Sequence, residues 1–269
     1  EFTNTKSSSG TICYSSQSAS SNDKIFNIEN CHFKSCLGES IHISTSAGSL
    51  EEVNIIYNTF EECINIKNNE ISGINFGTNT DSISLTIEGN TFDRCNNVST
   101  DSILISLDVN SSPVEGSNKL IEFNNNIIYY EYKYNNDQHD PRGKLALRLY
   151  QPNREILIHN CTFTNCYKLP NERPWANSIS ADKLSKLTIT QCHFYKCGYG
   201  FSSIDQIVTT NGGGNVIGIN SASATEAEII NCIFDSTSTA VSTYAECITV
   251  INNTFNKCGR NTLRVTSEK

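Results

Sequence analysis

The chain is short of several things, and each shortage excludes something. Nowhere in its 269 residues is there an apolar run near the roughly 20 residues a membrane helix needs. No stretch repeats apolar residues at helical spacing, which excludes a helix bundle. Lysine and arginine total 20 against 28 acidic residues, for a net charge of −8, and the basic residues are scattered. Without a basic stripe, nucleic acid is not an expected partner. The opening "EFTNTKSSSG" lacks the basic-then-apolar plan of a signal peptide. Any membrane attachment is therefore expected through segments outside this chain. Proline is scarce: Pro113, Pro141, Pro152, Pro170 and Pro174 are the whole set.

What the chain does have is a repeat. "TIEGNTFDRC" (86–95) carries Ile87, Asn90, Phe92 and Cys95, and the same spacing recurs throughout. The earlier copies are Ile28, Cys31, Phe33, Cys36 and Ile55, Asn58, Phe60, Cys63. A degenerate copy follows at Phe123, Asn126, Ile128, Glu131, then Ile158, Cys161, Phe163, Cys166 and Ile189, Cys192, Phe194, Cys197. Ile229, Cys232, Phe234, Thr237 and Val250, Asn253, Phe255, Cys258 complete eight copies. Units that pack only on their neighbours form one quasi-linear domain, so residues 1–269 are read as a single solenoid.

Each motif reads as two short strands flanking a corner. In "LTIEGNTF", Leu85 and Ile87 alternate inward, and a corner at Gly89 and Asn90 brings Phe92 inward again. Both corner residues tolerate a left-handed backbone. A second apolar alternation follows most copies, as in "SILISL" (102–107) and "LALRLY" (145–150). Three strands and three corners per unit describe a right-handed parallel β-helix. All five prolines fall between motif cores, as strand ladders require. The alternative is a leucine-rich-repeat solenoid, but that holds a period of roughly 20 to 29 residues. Here Phe234 to Phe255 is 21 residues and Phe194 to Phe234 is 40, while the core motif stays intact.

Coils about 4.8 Å apart place like side chains over like. A phenylalanine column should fill the interior. The position two before it should form an asparagine ladder in which a small thiol fits the same slot. Three residues after phenylalanine, six of eight copies supply a second column of cysteine. Stacked, buried cysteine is the expected state. Aligned cysteines also fall near the Cα window for disulfides, which allows Cys161–Cys192, Cys166–Cys197, and Cys63 with Cys36 or Cys95. The cysteine pairs at 31/36, 161/166 and 192/197 recur with the repeat rather than as two zinc-like pairs, so no metal or other cofactor is expected. Twelve cysteines together with sequons at Asn97, Asn110, Asn160 and Asn252 point to an extracellular, glycosylated protein.

No catalytic motif is complete. Asn79-Thr80-Asp81 resembles a polygalacturonase signature, but the Asp-Asp, Gly-His-Gly and Arg-Ile-Lys elements of those enzymes do not occur. Glycoside hydrolysis requires paired carboxylates. His42, His139 and His159 have no repeated partner, and "NGGGN" (211–215) reads as a turn.

The repeated "IHNCTFTNC" and "ITQCHFYKC" resemble the pectin-lyase-like superfamily. In particular they resemble the β-helical ectodomains of polymorphic-membrane-protein-like surface proteins of parabasalid protists. That resemblance implies surface display and adhesion, with a host-cell surface protein or glycan as the expected partner, and the incomplete catalytic motifs weigh against an enzyme. Insertions at 132–144, 167–177 and 198–214 follow the cysteine column and should cluster on one edge. They carry Tyr132, Tyr134, Tyr167, Arg173, Trp175, Tyr199 and Phe201, residue types favoured in binding sites. A polysaccharide hydrolase or lyase on the same fold, or a structural spacer of a larger surface protein, are the alternatives.

Overall fold

Local sequence builds the first corner of each coil. In the computed structural model, Ser84–Glu88 is a strand with Leu85 and Ile87 buried. Gly89 follows at φ 65°, and Thr91–Asp93 is the next strand, with Phe92 buried at its centre. A single left-handed residue makes the turn. Asn90 beside it is not left-handed; its side chain has another task, described below. Other copies place Asn30, Tyr57, Asn125, Asn160, Gln191, Asn231 and Asn252 at the same point, with φ between 51 and 57°. A second left-handed residue closes the Phe-centred strand: Ser35, Glu62, Arg94, Asn165, Lys196, Ser236 and Lys257. Side chains this bulky are held left-handed by the stack. The Tyr57 amide donates to Glu88 O at 2.9 Å and the Glu62 amide to Asp93 O at 2.9 Å. The interstrand ladder thus runs straight through the corners.

The structure describes residues 1–6, 10–16, 25–45, 50–65, 71–78, 83–95, 103–109, 120–130, 145–150, 154–168, 178–182, 184–199, 201–203, 206–207, 215–220, 226–237, 239–259 and 262–265. These residues form three long sheets in which every strand pairs in parallel with its equivalent in the next coil. The entering sheet runs from Ile25–Glu29 to Cys247–Ile251 in eight strands. The Phe sheet has nine three-residue or shorter strands, from Phe2–Thr3 to Thr254–Asn256. The third sheet has nine strands, all but the last longer than three residues, from Ile12–Ser16 to Leu263–Val265. The fold is a right-handed parallel β-helix. Three sheets around one core leave no place for the leucine-rich-repeat alternative. A ninth strand joins the eight motif copies in this sheet, with Phe2 stacked on Phe33 at 5.0 Å.

Inside, the phenylalanines form the expected column. Phe33, Phe60 and Phe92 stack at 4.8 and 4.5 Å, and Phe163, Phe194, Phe234 and Phe255 at 5.0, 4.9 and 5.1 Å. Ile128 interrupts the two runs, and in that coil Tyr130 is buried where other coils carry the second left-handed residue.

The position two before phenylalanine is a working ladder. Asn58 Nδ2 donates to Ile28 O (2.9 Å), and its Oδ1 accepts the Cys31 amide (2.9 Å). Asn90 repeats this with Ile55 O and the Asn58 amide, and Asn126 with Ile87 O and the Asn90 amide. Each amide also bonds the next, Asn58 to Asn90 (3.0 Å) and Asn90 to Asn126 (3.1 Å). Where the chain has cysteine, sulfur takes the same role. Cys161 Sγ accepts the Asn126 amide (3.4 Å) and donates to Phe123 O (3.3 Å). A thiol therefore substitutes for one donor and the acceptor of asparagine, but not for its second N–H.

The later cysteine column is tied down in the same manner. Cys63, Cys95, Cys197 and Cys258 donate to the carbonyls of Phe33, Phe60, Phe163 and Phe234 in the preceding coil, at 3.3 to 3.5 Å. All twelve cysteines are thiols. The bridges that spacing allows, Cys161–Cys192, Cys166–Cys197 and Cys36–Cys63 or Cys63–Cys95, are not formed in the structure. The thiol protons are spent on carbonyls instead.

This predicts a pH response. The Cys36 hydrogen bond lowers the Cys63 thiol, but the Cys95 hydrogen bond and burial outweigh it, and the thiol is pushed up to about 12. The Cys161 hydrogen bond raises Cys192 and burial raises Cys166. Unfolded cysteine ionises near about 8.5. A raised folded pKa gives stability that is complete below that value and is lost as pH rises through the folded one. Urea stability should fall by about 1.4 kcal/mol per pH unit between about pH 9 and 12 on account of Cys63, which stays protonated in the folded state while its unfolded counterpart ionises. A flat stability profile across that window would contradict it.

Candidate recognition surface

The outward face of the Phe sheet consists of the residues on either side of each central phenylalanine. Its early coils are ionic. Lys34 Nζ lies 3.1 Å from Glu61, and Arg94 reaches Glu62 at 2.7 Å, Asp93 at 3.0 Å and Glu61 at 3.2 Å. The Lys34 hydrogen bond, with help from His32 and the Arg94 charge, holds the Glu61 carboxyl below its usual range. Exposed pairs of this kind contribute little to stability.

From the fourth motif copy onward the same face changes character. Ile127 is 49% exposed, Tyr129 37% and Ile233 44%. His193 and Tyr195 lie between them along the sheet, with ring centroids 6.2 Å apart, and Lys196 Nζ sits 5.2 Å over the Tyr195 ring. Tyr129 and Tyr195 occupy the same column, with Thr164 between them. Two strand spacings separate them, about 9.6 Å. Exposed Ile127 and Tyr129 are not needed to form the coil, since Thr91 and Thr59 fill the first of these slots in other copies and Asp93 and Glu61 the second.

Two of the large insertions leave the coil on the same side. Tyr167–Lys168 pairs in parallel with Gly198–Tyr199, so two successive insertions start side by side, as the spacing predicts. Phe201–Ser203 folds back in an antiparallel pair with Gln206–Ile207. Tyr167, Tyr199 and Phe201 lie on these short strands. Tyr132, Tyr134, Arg173 and Trp175 lie outside the described residues, as do the sequons Asn97 and Asn110 and the Asn79-Thr80-Asp81 stretch. Asn160 and Asn252 are exposed at first corners, and Asn160 Nδ2 donates to Asn125 Oδ1 at 2.8 Å.

Reading the sequence missed a second outward group, on the third sheet. Asp108, Tyr150 and Asp182 are register partners on adjacent strands. The two aspartates therefore flank Tyr150, about 9.6 Å apart across two strand spacings. Asp182 Oδ1 is buried without a hydrogen-bond partner. Arg148, exposed, lies two residues before Tyr150 on the same face. Alternation in "SILISLDV", "LALRLY" and "SISAD" places each residue outward. The register that aligns them passes through two insertions of unrelated length, so it could not be counted.

No family model, curated protein or solved structure matches the chain. Among the described residues, no group of three or more His, Cys, Asp or Glu side chains is placed to hold a metal ion, and no helix is long and apolar enough to cross a membrane.

Proposed function

We propose that this β-helix is a non-enzymatic recognition domain of an extracellular or cell-surface protein. It would be an adhesin akin to the polymorphic-membrane-protein-like ectodomains of the pectin-lyase-like class, with sugars on Asn160 and Asn252. The partner would be a host-cell surface protein or glycan. The observation that carries this reading is the exposed Ile127, Tyr129 and Ile233 on the outer face of the Phe sheet. Tyrosine presents a large, rigid contact area with a polar tip, which suits an interface that is wet at its rim. The neighbouring ionic half of the face gives the patch a polar border.

The test is binding of the purified domain to host cells and to a glycan panel, beside Tyr129→Ala, Tyr195→Ala and a variant with 132–144 and 167–177 shortened. Each tyrosine variant should weaken binding about fivefold or more while the fold persists. Binding untouched by all three changes would refute the assignment.

A polysaccharide hydrolase is the second reading, favoured by Asp108 and Asp182 facing outward across Tyr150. Inverting enzymes place their carboxyl groups roughly 6.5 to 9.5 Å apart. Release of reducing ends from a polysaccharide, abolished in Asp182→Asn, would establish it. Its absence across a broad panel would leave recognition alone.

A further inference from the structure

Ten of the twelve cysteines belong to the two stacked columns, and the two outside them are the exposed ones, Cys13 and Cys247. Their surroundings differ. Cys13 lies on Ile12–Ser16, directly opposite His42 of Ile41–Thr45, which in turn lies opposite Asn75 of Ile71–Thr78. In these strands Ile41, Ile43 and Phe76 point into the core, so Cys13, His42 and Asn75 share the outer face. Glu39 completes the group. Its Oε2 accepts from His42 Nδ1 at 2.5 Å, while its Oε1 accepts from Asn75 Nδ2 at 3.0 Å. Gly10 passes so close that a Cβ there would stand 2.8 Å from the His42 Cβ. The Gly10 backbone is thereby packed against the base of the His42 side chain.

The carboxylate fixes the histidine tautomer. With Nδ1–H committed to Glu39, Nε2 carries the lone pair. Nδ1 lies within 3.3 Å of the Asn75 side-chain amide on one side, and Cys13 is the register partner of His42 on the other. A nucleophile beside a base that a third group orients is the signature of an activated thiol. Cys247 has no such company, and its register partner is Glu226, a carboxylate.

We propose that Cys13 is a His42-activated nucleophile whose substrates are disulfides, forming a mixed disulfide with a partner at this edge of the solenoid. His42 Nε2 takes the thiol proton, and the Cys13 thiolate attacks one sulfur of the partner disulfide. A Cys13–sulfur bond forms as the partner's S–S bond breaks. The departing thiolate then receives the proton from His42. No external oxidant is consumed. The recognition surface lies on the Phe sheet, so this site stands whether or not that surface binds a partner.

The test is the reaction of the native protein with 5,5′-dithiobis(2-nitrobenzoate), an aromatic disulfide, at pH 7, with the labelled peptide mapped by mass spectrometry. One fast thiol is expected. It should vanish in Cys13→Ser, persist in Cys247→Ser, and slow at least about tenfold in His42→Asn. Glu39→Gln should slow it as well. Equal rates at Cys13 and Cys247 would overturn the proposal without any change to His42. An unaltered rate in a folded His42→Asn protein would overturn it too.

Discussion

Asn90→Leu should destabilise the solenoid by about 3 to 5 kcal/mol, counting roughly 1–3 kcal/mol for each buried group left without a partner. Two backbone groups and one of the two N–H groups of the Asn58 side chain lose a partner at once. The Asn58 amide and Asn58 Nδ2 both donate to Asn90 Oδ1, and Ile55 O accepts from Asn90 Nδ2. All lie in the interior, where water cannot replace the missing bond, and Asn90 itself is fully buried. Leucine fills the space, so an effect of this size would report hydrogen bonding rather than a cavity. Asn90→Cys should cost about half as much or less. Sulfur at Cys161 already accepts one amide and donates to one carbonyl in the equivalent slot. Urea denaturation of the two variants checks this, and equal losses would show that the ladder works by packing alone.

Phe194→Ala should cost about 3 to 5 kcal/mol. Its ring lies between Phe163 and Phe234 at 5.0 and 4.9 Å, nearly parallel to both (8° in each case). Removing it opens a cavity bounded above and below by aromatic faces, which cannot collapse without breaking strand register. Phe255→Ala, in the last coil, should cost clearly less, because that ring is only partly buried. The comparison tests the nearest-neighbour character of the stack. If the two substitutions cost the same, stability would not be built up coil by coil.

The two predictions rest on features of different legibility. Both columns were plain in the repeat, since stacking of identical coils makes spacing along the chain equivalent to position in the cross-section. The direction of the ladder, with each side chain serving the amide of the coil before it, required coordinates. So did the left-handed residues. Gly89 and the corner asparagines advertise that conformation, whereas Tyr57, Glu62, Arg94 and Lys196 adopt it only because flanking strands hold their amides in the ladder. The exposed Ile127 and Ile233 were readable in principle as apolar residues in an outward slot of the motif. The aromatic insertions carry the stronger compositional signal, and of their residues Tyr132, Tyr134, Arg173 and Trp175 lie outside the described residues.

By itself, then, the sequence determined the three-strand coil, its inward residues and the identity of each stacked column. A short motif repeated at constant internal spacing leaves no other way to bury its phenylalanines. Only the tertiary structure decided which outward residues become neighbours. Cys13 meets His42, and Asp108 and Asp182 flank Tyr150, across insertions whose lengths obey no rule. Register there is set by hydrogen bonding between coils, and no local pattern encodes it.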